Sequence, residues 1–178
     1  MIRLRDVREH VPEPRLLNQI KRLMTPLKVV AGELVTESPE PILVPNYPSF
    51  DDLLARRRSI KNLQLVPLKS DTMYAYYHTF TKEQLAAEVD AYFQRSLILL
   101  ADNAYPYDLP TDTKQRIVWC ASPLVDRSSV MKFIARCVMH LKLDVNEIIL
   151  FERPLNVTTR LVRGTVPQFP HVHLWSRA

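Results

Sequence analysis

Glycine is almost absent from this chain: Gly32 and Gly164 stand alone among 178 residues, against fourteen prolines. Average usage would supply roughly a dozen glycines at this length. Phosphate-cradling loops, nucleotide fingerprints and nucleophile elbows depend on glycine, which alone turns sharply at no steric cost or lets backbone approach a ligand closely. Neither glycine sits in such a context. Dinucleotide, P-loop and kinase-type chemistry are therefore not expected.

With 47% apolar residues the chain can bury one sizeable core and carry an extension, but not two full domains. Its longest apolar run, Ser96 to Ala101, is far too short to cross a bilayer. The opening Met-Ile-Arg-Leu-Arg-Asp has no secretory pattern. Cys120 and Cys137 form no C-x-x-C, so buried, reduced thiols of an intracellular protein are expected.

The net charge of +5 is unevenly placed. Residues 1–70 hold twelve Lys and Arg against eight Asp and Glu, together with eight of the prolines; residues 71–178 are nearly balanced. Basic excess and proline coincide in the first third, which favours contact with something acidic. Arg3, Arg5 and Arg8 lead in, although Asp6 and Glu9 weaken any mitochondrial presequence. Pro14 opens a short helix with Leu16, Ile20, Leu23 and Leu27 on one face, Pro26 as its stop, and Arg15, Lys21 and Arg22 offered to solvent or a partner. Four prolines within residues 36–48 predict extended chain. Ser49 then caps a helix ending in Arg56, Arg57 and Arg58, with Lys61 beyond.

A compact part begins near Leu65. Tyr74, Tyr76, His78 and Phe80 alternate as in a strand, and the tyrosines could stack bases. Thr81 with Gln84 starts a helix over 82–100, whose stripe is Leu85, Val89, Tyr92, Phe93, Leu97 and Leu100. A strand over 116–121 follows, then a helix over 129–141 capped by Ser128 or Ser129. Its core face is Val130, Ile134, Cys137 and Leu141, with Lys132, Arg136 and His140 opposite. Strands over 147–151, 159–166 and 169–175 close the chain. The class is thus α+β: a small mixed sheet packed with two main helices (residues 71–178), preceded by an extended, basic, proline-rich arm (residues 1–70).

One constellation suggests chemistry. In a strand, His171 and His173 project to the same side, next to Phe169 and Trp175. Two imidazoles on one face suit zinc or iron, with Asp108, Cys120, His140 or His78 as third ligand. The competing expectation is a pair of partly buried, hydrogen-bonded core histidines. Asp108 and Asp112 flank a turn and serve it.

Tyr105-Pro106-Tyr107-Asp108-Leu109-Pro110, Ile117-Val118-Trp119, Ile148-Ile149-Leu150-Phe151 and His171-Val172-His173 together resemble the fungal N-acetylglucosamine-induced protein family, over roughly residues 75–176. That family places a histidine four residues before the tryptophan, where this chain has Gln115. If the family's three histidines form a metal or acid–base site, the resemblance implies that this member lacks one of them. Gln is a poor ligand and no general base near neutral pH.

The function expected is that of a non-catalytic accessory subunit of a large assembly, a mitochondrial ribonucleoprotein or respiratory-type complex. Its partners would be other protein subunits, with non-specific RNA phosphate contacts, no transmembrane segment and no cofactor. The alternative is a small zinc- or iron-dependent enzyme using His171 and His173.

Overall fold

Two runs, Ile98-Leu99-Leu100-Ala101 and Ile148-Ile149-Leu150-Phe151, offer no polar alternation, so strands built from them must be covered on both faces. The computed structural model meets that demand with a helix-covered sheet. It describes residues 1–24, 27–30, 33–36, 42–43, 47–59, 65–66, 68–69, 71, 75, 79–151 and 169–178.

In chain order these form β1 (Ile2–Arg3), a 3-10 turn (Leu4–Asp6), α1 (Pro14–Leu23), β2 (Leu27–Val30), β3 (Glu33–Thr36), β4 (Ile42–Leu43) and α2 (Phe50–Ser59). Then come β5 (Leu65–Val66), β6 (Leu68–Lys69), α3 (Lys82–Phe93), β7 (Ile98–Asp102), β8 (Tyr107–Asp108) and β9 (Thr113–Cys120). The chain closes with α4 (Arg127–His140), a 3-10 turn (Val145–Glu147), β10 (Ile148–Phe151) and β11 (His171–Arg177). The main sheet has the order β1-β7-β9-β11-β10. Each of its pairings is antiparallel, where a mixed sheet was expected; the parallel pair β4–β5 lies outside it. The α+β class holds.

Register sorts the side chains cleanly. Ile98, Leu100, Val118, Cys120, Ile148, Leu150, Val172 and Leu174 join one core with Val130, Phe133, Ile134 and Cys137 of α4. On the opposite face, α2 covers Ile149, Phe151 and Trp175, while α3 covers Leu99 and Ala101.

Of the arm expected over residues 1–70, β1, α1 and α2 are part of this body. β1 extends the sheet beside β7, and Val7, Ile20 and Met24 lie inside the α4 core. Phe50 and Leu53 of α2 are fully buried against the C-terminal strands. The physical reason is that each short helix carries an apolar stripe it cannot leave in water. Arg127 donates to the Met24 carbonyl at the end of α1. Asp112 accepts from the Phe50 N–H at 2.8 Å, and Arg177 grips Asp51 in the first turn of α2 with contacts of 2.8 and 2.6 Å.

Other boundaries moved. The helix from Thr81 ends at Phe93, because Ile98–Asp102 pairs with β1 and β9 as a strand instead of continuing to residue 100. Thr81 and Gln84 do form the capping box. α4 starts at Arg127 with Asp126 as cap, its carboxylate accepting from the Ser129 N–H at 2.9 Å; Ser128 and Ser129 are already helical. Ala75 and Thr79 are helical, against a strand there; Tyr74, Tyr76, His78 and the 159–166 strand lie outside the described residues.

Scarce glycine leaves its mark at helix ends. Lys142 follows α4 with φ 53°, its N–H bonded to the Met139 carbonyl and that of Leu143 to the Val138 carbonyl, a Schellman closure normally given to glycine. Gln94 and Arg95, after α3, have φ 43° and 68°. A non-glycine residue in this region costs about 1 kcal/mol.

Lys142→Gly is therefore expected to stabilise the protein by roughly 0.5–1 kcal/mol, read as a melting temperature a few degrees higher. Phe50→Ala tests the docking of α2 and should cost about 3–5 kcal/mol in denaturant unfolding. A near-neutral result would mean that α2 does not pack as described.

Candidate functional site

The pleat of β11 decides what the His-x-His pair can do. His171 lies opposite Trp119 of β9, and His173 lies between Ile117 of β9 and Phe151 of β10. The two imidazoles stand side by side, 5.2 Å between centroids and nearly perpendicular. His171 is half-buried, 4.7 Å from the Trp119 ring, with Nδ1 3.3 Å from the Phe169 carbonyl. His173 is only 3% exposed. Its ring meets Tyr107 at 5.1 Å and Phe151 at 5.7 Å, and the Tyr107 hydroxyl is 3.5 Å from Nε2, at the outer limit of a hydrogen bond.

The suggested third ligands do not converge here. Cys120 belongs to the alternate positions of β9 and packs in the α4 core, on the opposite side of the sheet. Asp108 follows buried Tyr107 and is exposed. His140, at the end of α4, meets His10 instead, with Nε2 of His10 3.3 Å from Nδ1 of His140. His78 lies outside the described residues. Among the described residues no three His, Cys, Asp or Glu side chains come together as a metal site.

Gln115 has a structural use. Its Oε1 accepts from the Tyr107 N–H and its Nε2 donates to the Tyr107 carbonyl, both at 2.9 Å. The amide thus imitates a neighbouring strand and holds β8 beside the niche, fixing the tyrosine that touches His173. A histidine at this position could not return both bonds to one backbone residue.

Burial pushes the Cys137 thiol up to about 12 and leaves it inert. Cys120 is likewise buried and is not part of a disulfide.

The basic residues expected to meet a partner are distributed over two helices. Arg15, Lys21 and Arg22 are exposed on α1, and Arg56 is exposed on α2. Arg57 is half-buried, and desolvation pulls its pKa below the ordinary guanidinium value. The Arg58 side chain and Lys61 lie outside the described residues. A second basic group went unrecognised as a unit: Arg5, Arg8, Arg95 and Arg136 line one depression with Leu4, Gln94, Ser96 and Leu97. Three separate segments supply them, and no spacing in one dimension signals that convergence.

No helix among the described residues is long and apolar enough to cross a membrane. No protein-family model matches the chain, and neither does any curated protein. A crystal structure of HTC1 is similar to it at 14% identity, over 62% of this chain and 76% of that one, with a TM-score of 0.36. So low a likeness carries no argument about fold or function.

The Cys137 shift has a pH consequence with a definite sign. In the unfolded chain the thiol ionises near its ordinary value of 9.0, whereas the native fold keeps it protonated to about 12. Stability from this group is therefore complete below pH 9 and lost as pH rises towards 12. Denaturant midpoints should fall across that window, less steeply in Cys137→Ala, and native protein at pH 8 should resist thiol labelling. Rapid labelling of Cys137 without unfolding would contradict its burial.

Proposed function

We propose that this chain is a non-catalytic accessory subunit of a larger assembly, and that the assembly is a mitochondrial ribonucleoprotein rather than a respiratory-type complex. One observation carries the reading: the residues best suited to chemistry are packed inward, while guanidinium and ammonium groups cover outer helix faces. His173 is 3% exposed inside an aromatic cluster, whereas Arg15, Lys21, Arg22 and Arg56 stand exposed on α1 and α2. The partners are neighbouring acidic protein surfaces, with non-sequence-specific contacts to RNA phosphate, and the choice of a ribonucleoprotein rests on the net charge of +5.

The resemblance to the N-acetylglucosamine-induced proteins belongs to the same proposal. Its four elements fall on and around β8, β9, β10 and β11, which meet at the His173 niche. A second reading, a small metal-dependent enzyme, draws on the adjacency of the His171 and His173 rings at 5.2 Å.

Gentle purification from the native source, followed by sizing and by zinc and iron analysis, separates the two. We expect the chain to travel with a multi-subunit particle. A free monomer holding stoichiometric metal, lost in a His171→Ala/His173→Ala variant, would overturn the subunit reading.

A further inference from the structure

We infer that the depression lined by Arg5, Arg8, Arg95 and Arg136 is a binding site for a small organic phosphate. The site is distinct from the helix faces of the subunit reading and does not rest on it. Four arginines contribute to its wall around a volume of about 490 Å³, with Gln94, Ser96, Leu4 and Leu97 completing the lining. That volume falls in the range of small-molecule sites, roughly 300–1,000 Å³.

No carboxylate lines the depression among the described residues. Asp6 stands beside one of these arginines, its carboxylate 3.7 Å from Arg5 Nε and accepting from the Arg3 N–H at 2.8 Å. Both Arg5 and Asp6 side chains are open to solvent, where such a pair is weak. Arg136 Nε is buried and has no hydrogen-bond partner among the described residues. A guanidinium N–H removed from water without an acceptor is unfavourable, and an anion bound in the depression would offset the positive charge of its arginine lining.

The donor type selects the ligand. Planar guanidinium forks match phosphoryl oxygens two at a time, and four of them suit a dianion or more highly charged group. With two glycines in the chain, a glycine-rich phosphate loop is not expected, which leaves the arginine side chains as the natural donors. Leu4 and the 62%-exposed Leu97 add apolar surface for a carbon-containing body beside the phosphate. The backbone fits this use: Gln94 and Arg95 hold positive φ where glycine would be easier, and both residues line the depression.

That last feature makes a test that separates binding from folding. Adenosine diphosphate serves as the probe, titrated calorimetrically into the full chain at about 150 mM salt, where exposed charges are screened beyond about 8 Å. Wild type should bind one equivalent. Arg95→Gly should weaken binding about tenfold or more while melting at the same or higher temperature, and Arg136→Gln should weaken it similarly. Arg15→Ala/Arg22→Ala, on the outer face of α1, should leave it unchanged. The inference falls if no saturation is reached at millimolar probe. It falls too if the two pocket variants bind as wild type, or if the α1 variant loses as much as they do. Displacement of the probe by single-stranded RNA at equal phosphate concentration would reassign the depression to nucleic acid and overturn it as well. A chain that binds the probe yet purifies alone keeps this site and loses the subunit reading; the reverse result does the opposite.

Discussion

Strand β11 is hydrogen-bonded along both edges, to β9 and to β10, and buried on both faces. The rest of the molecule is arranged around that requirement. Val172 and Leu174 need the α4 core on one side, and His173 and Trp175 need the aromatic cluster under α2 on the other. A seven-residue strand so placed cannot shift register by one position without exchanging these two sets. The burial of His173 is thus a consequence of the pleat and of what neighbours Trp175. An imidazole in that position is held among rings, with Tyr107 beside it and Gln115 holding Tyr107.

The same strand explains why the N-terminal third is folded onto the body. A central strand covered on both faces needs a layer on each side; of the described helices in residues 71–178, α4 lies on one face and α3 covers Leu99 and Ala101 of β7 on the other. α1 completes the layer beside α4, and α2 closes the face over Ile149, Phe151 and Trp175. Proline and basic charge in this third had suggested an arm needing a partner for its order. The stripe Leu16–Ile20–Leu23 is legible in the sequence, yet it and Phe50–Leu53–Leu54 pack intramolecularly, against what the composition averaged over seventy residues suggested. Those apolar side chains lie inside the protein, and the residues that α1 and α2 leave exposed include Arg15, Lys21, Arg22 and Arg56.

How much was legible follows from the range of each interaction. The α+β class, the Thr81 capping box, the α4 stripe and the strands around Trp119 and Ile149 rest on local pattern, and local pattern revealed them. The overrun of the third helix to residue 100 came from a period ambiguity: Leu97 and Leu100 continue the helical stripe, yet Ile98–Ala101 also reads as a buried strand. Only the pairing with β1 and β9 decides it, and those partners lie far away in sequence. Cys120 and His140 as companions of the His pair failed for a similar reason. Sheet face and helix end are three-dimensional facts that spacing does not carry. The arginines of the depression come from the lead segment, the turn after α3 and the outer row of α4, with some 130 residues between the first and last of them.

Scarcity of glycine, finally, shapes the surface as well as the folding. Where most chains end a helix on a residue without a side chain, this one uses Gln94, Arg95 and Lys142. Each accepts an unfavourable backbone region, which the surrounding hydrogen bonds must hold: the Ser96 N–H to the Phe93 carbonyl after α3, and the paired Schellman bonds after α4. In exchange, a turn that would otherwise be bare carries a functional group. At Lys142 that group is a cation beside the last carbonyls of α4, which the helix dipole favours. At Gln94 and Arg95 it is a polar, charged lip on the depression shared with Arg5, Arg8 and Arg136. A chain that cannot recognise anions through backbone N–H groups in glycine loops can still do so through side chains. The helix termini are where this sequence places them.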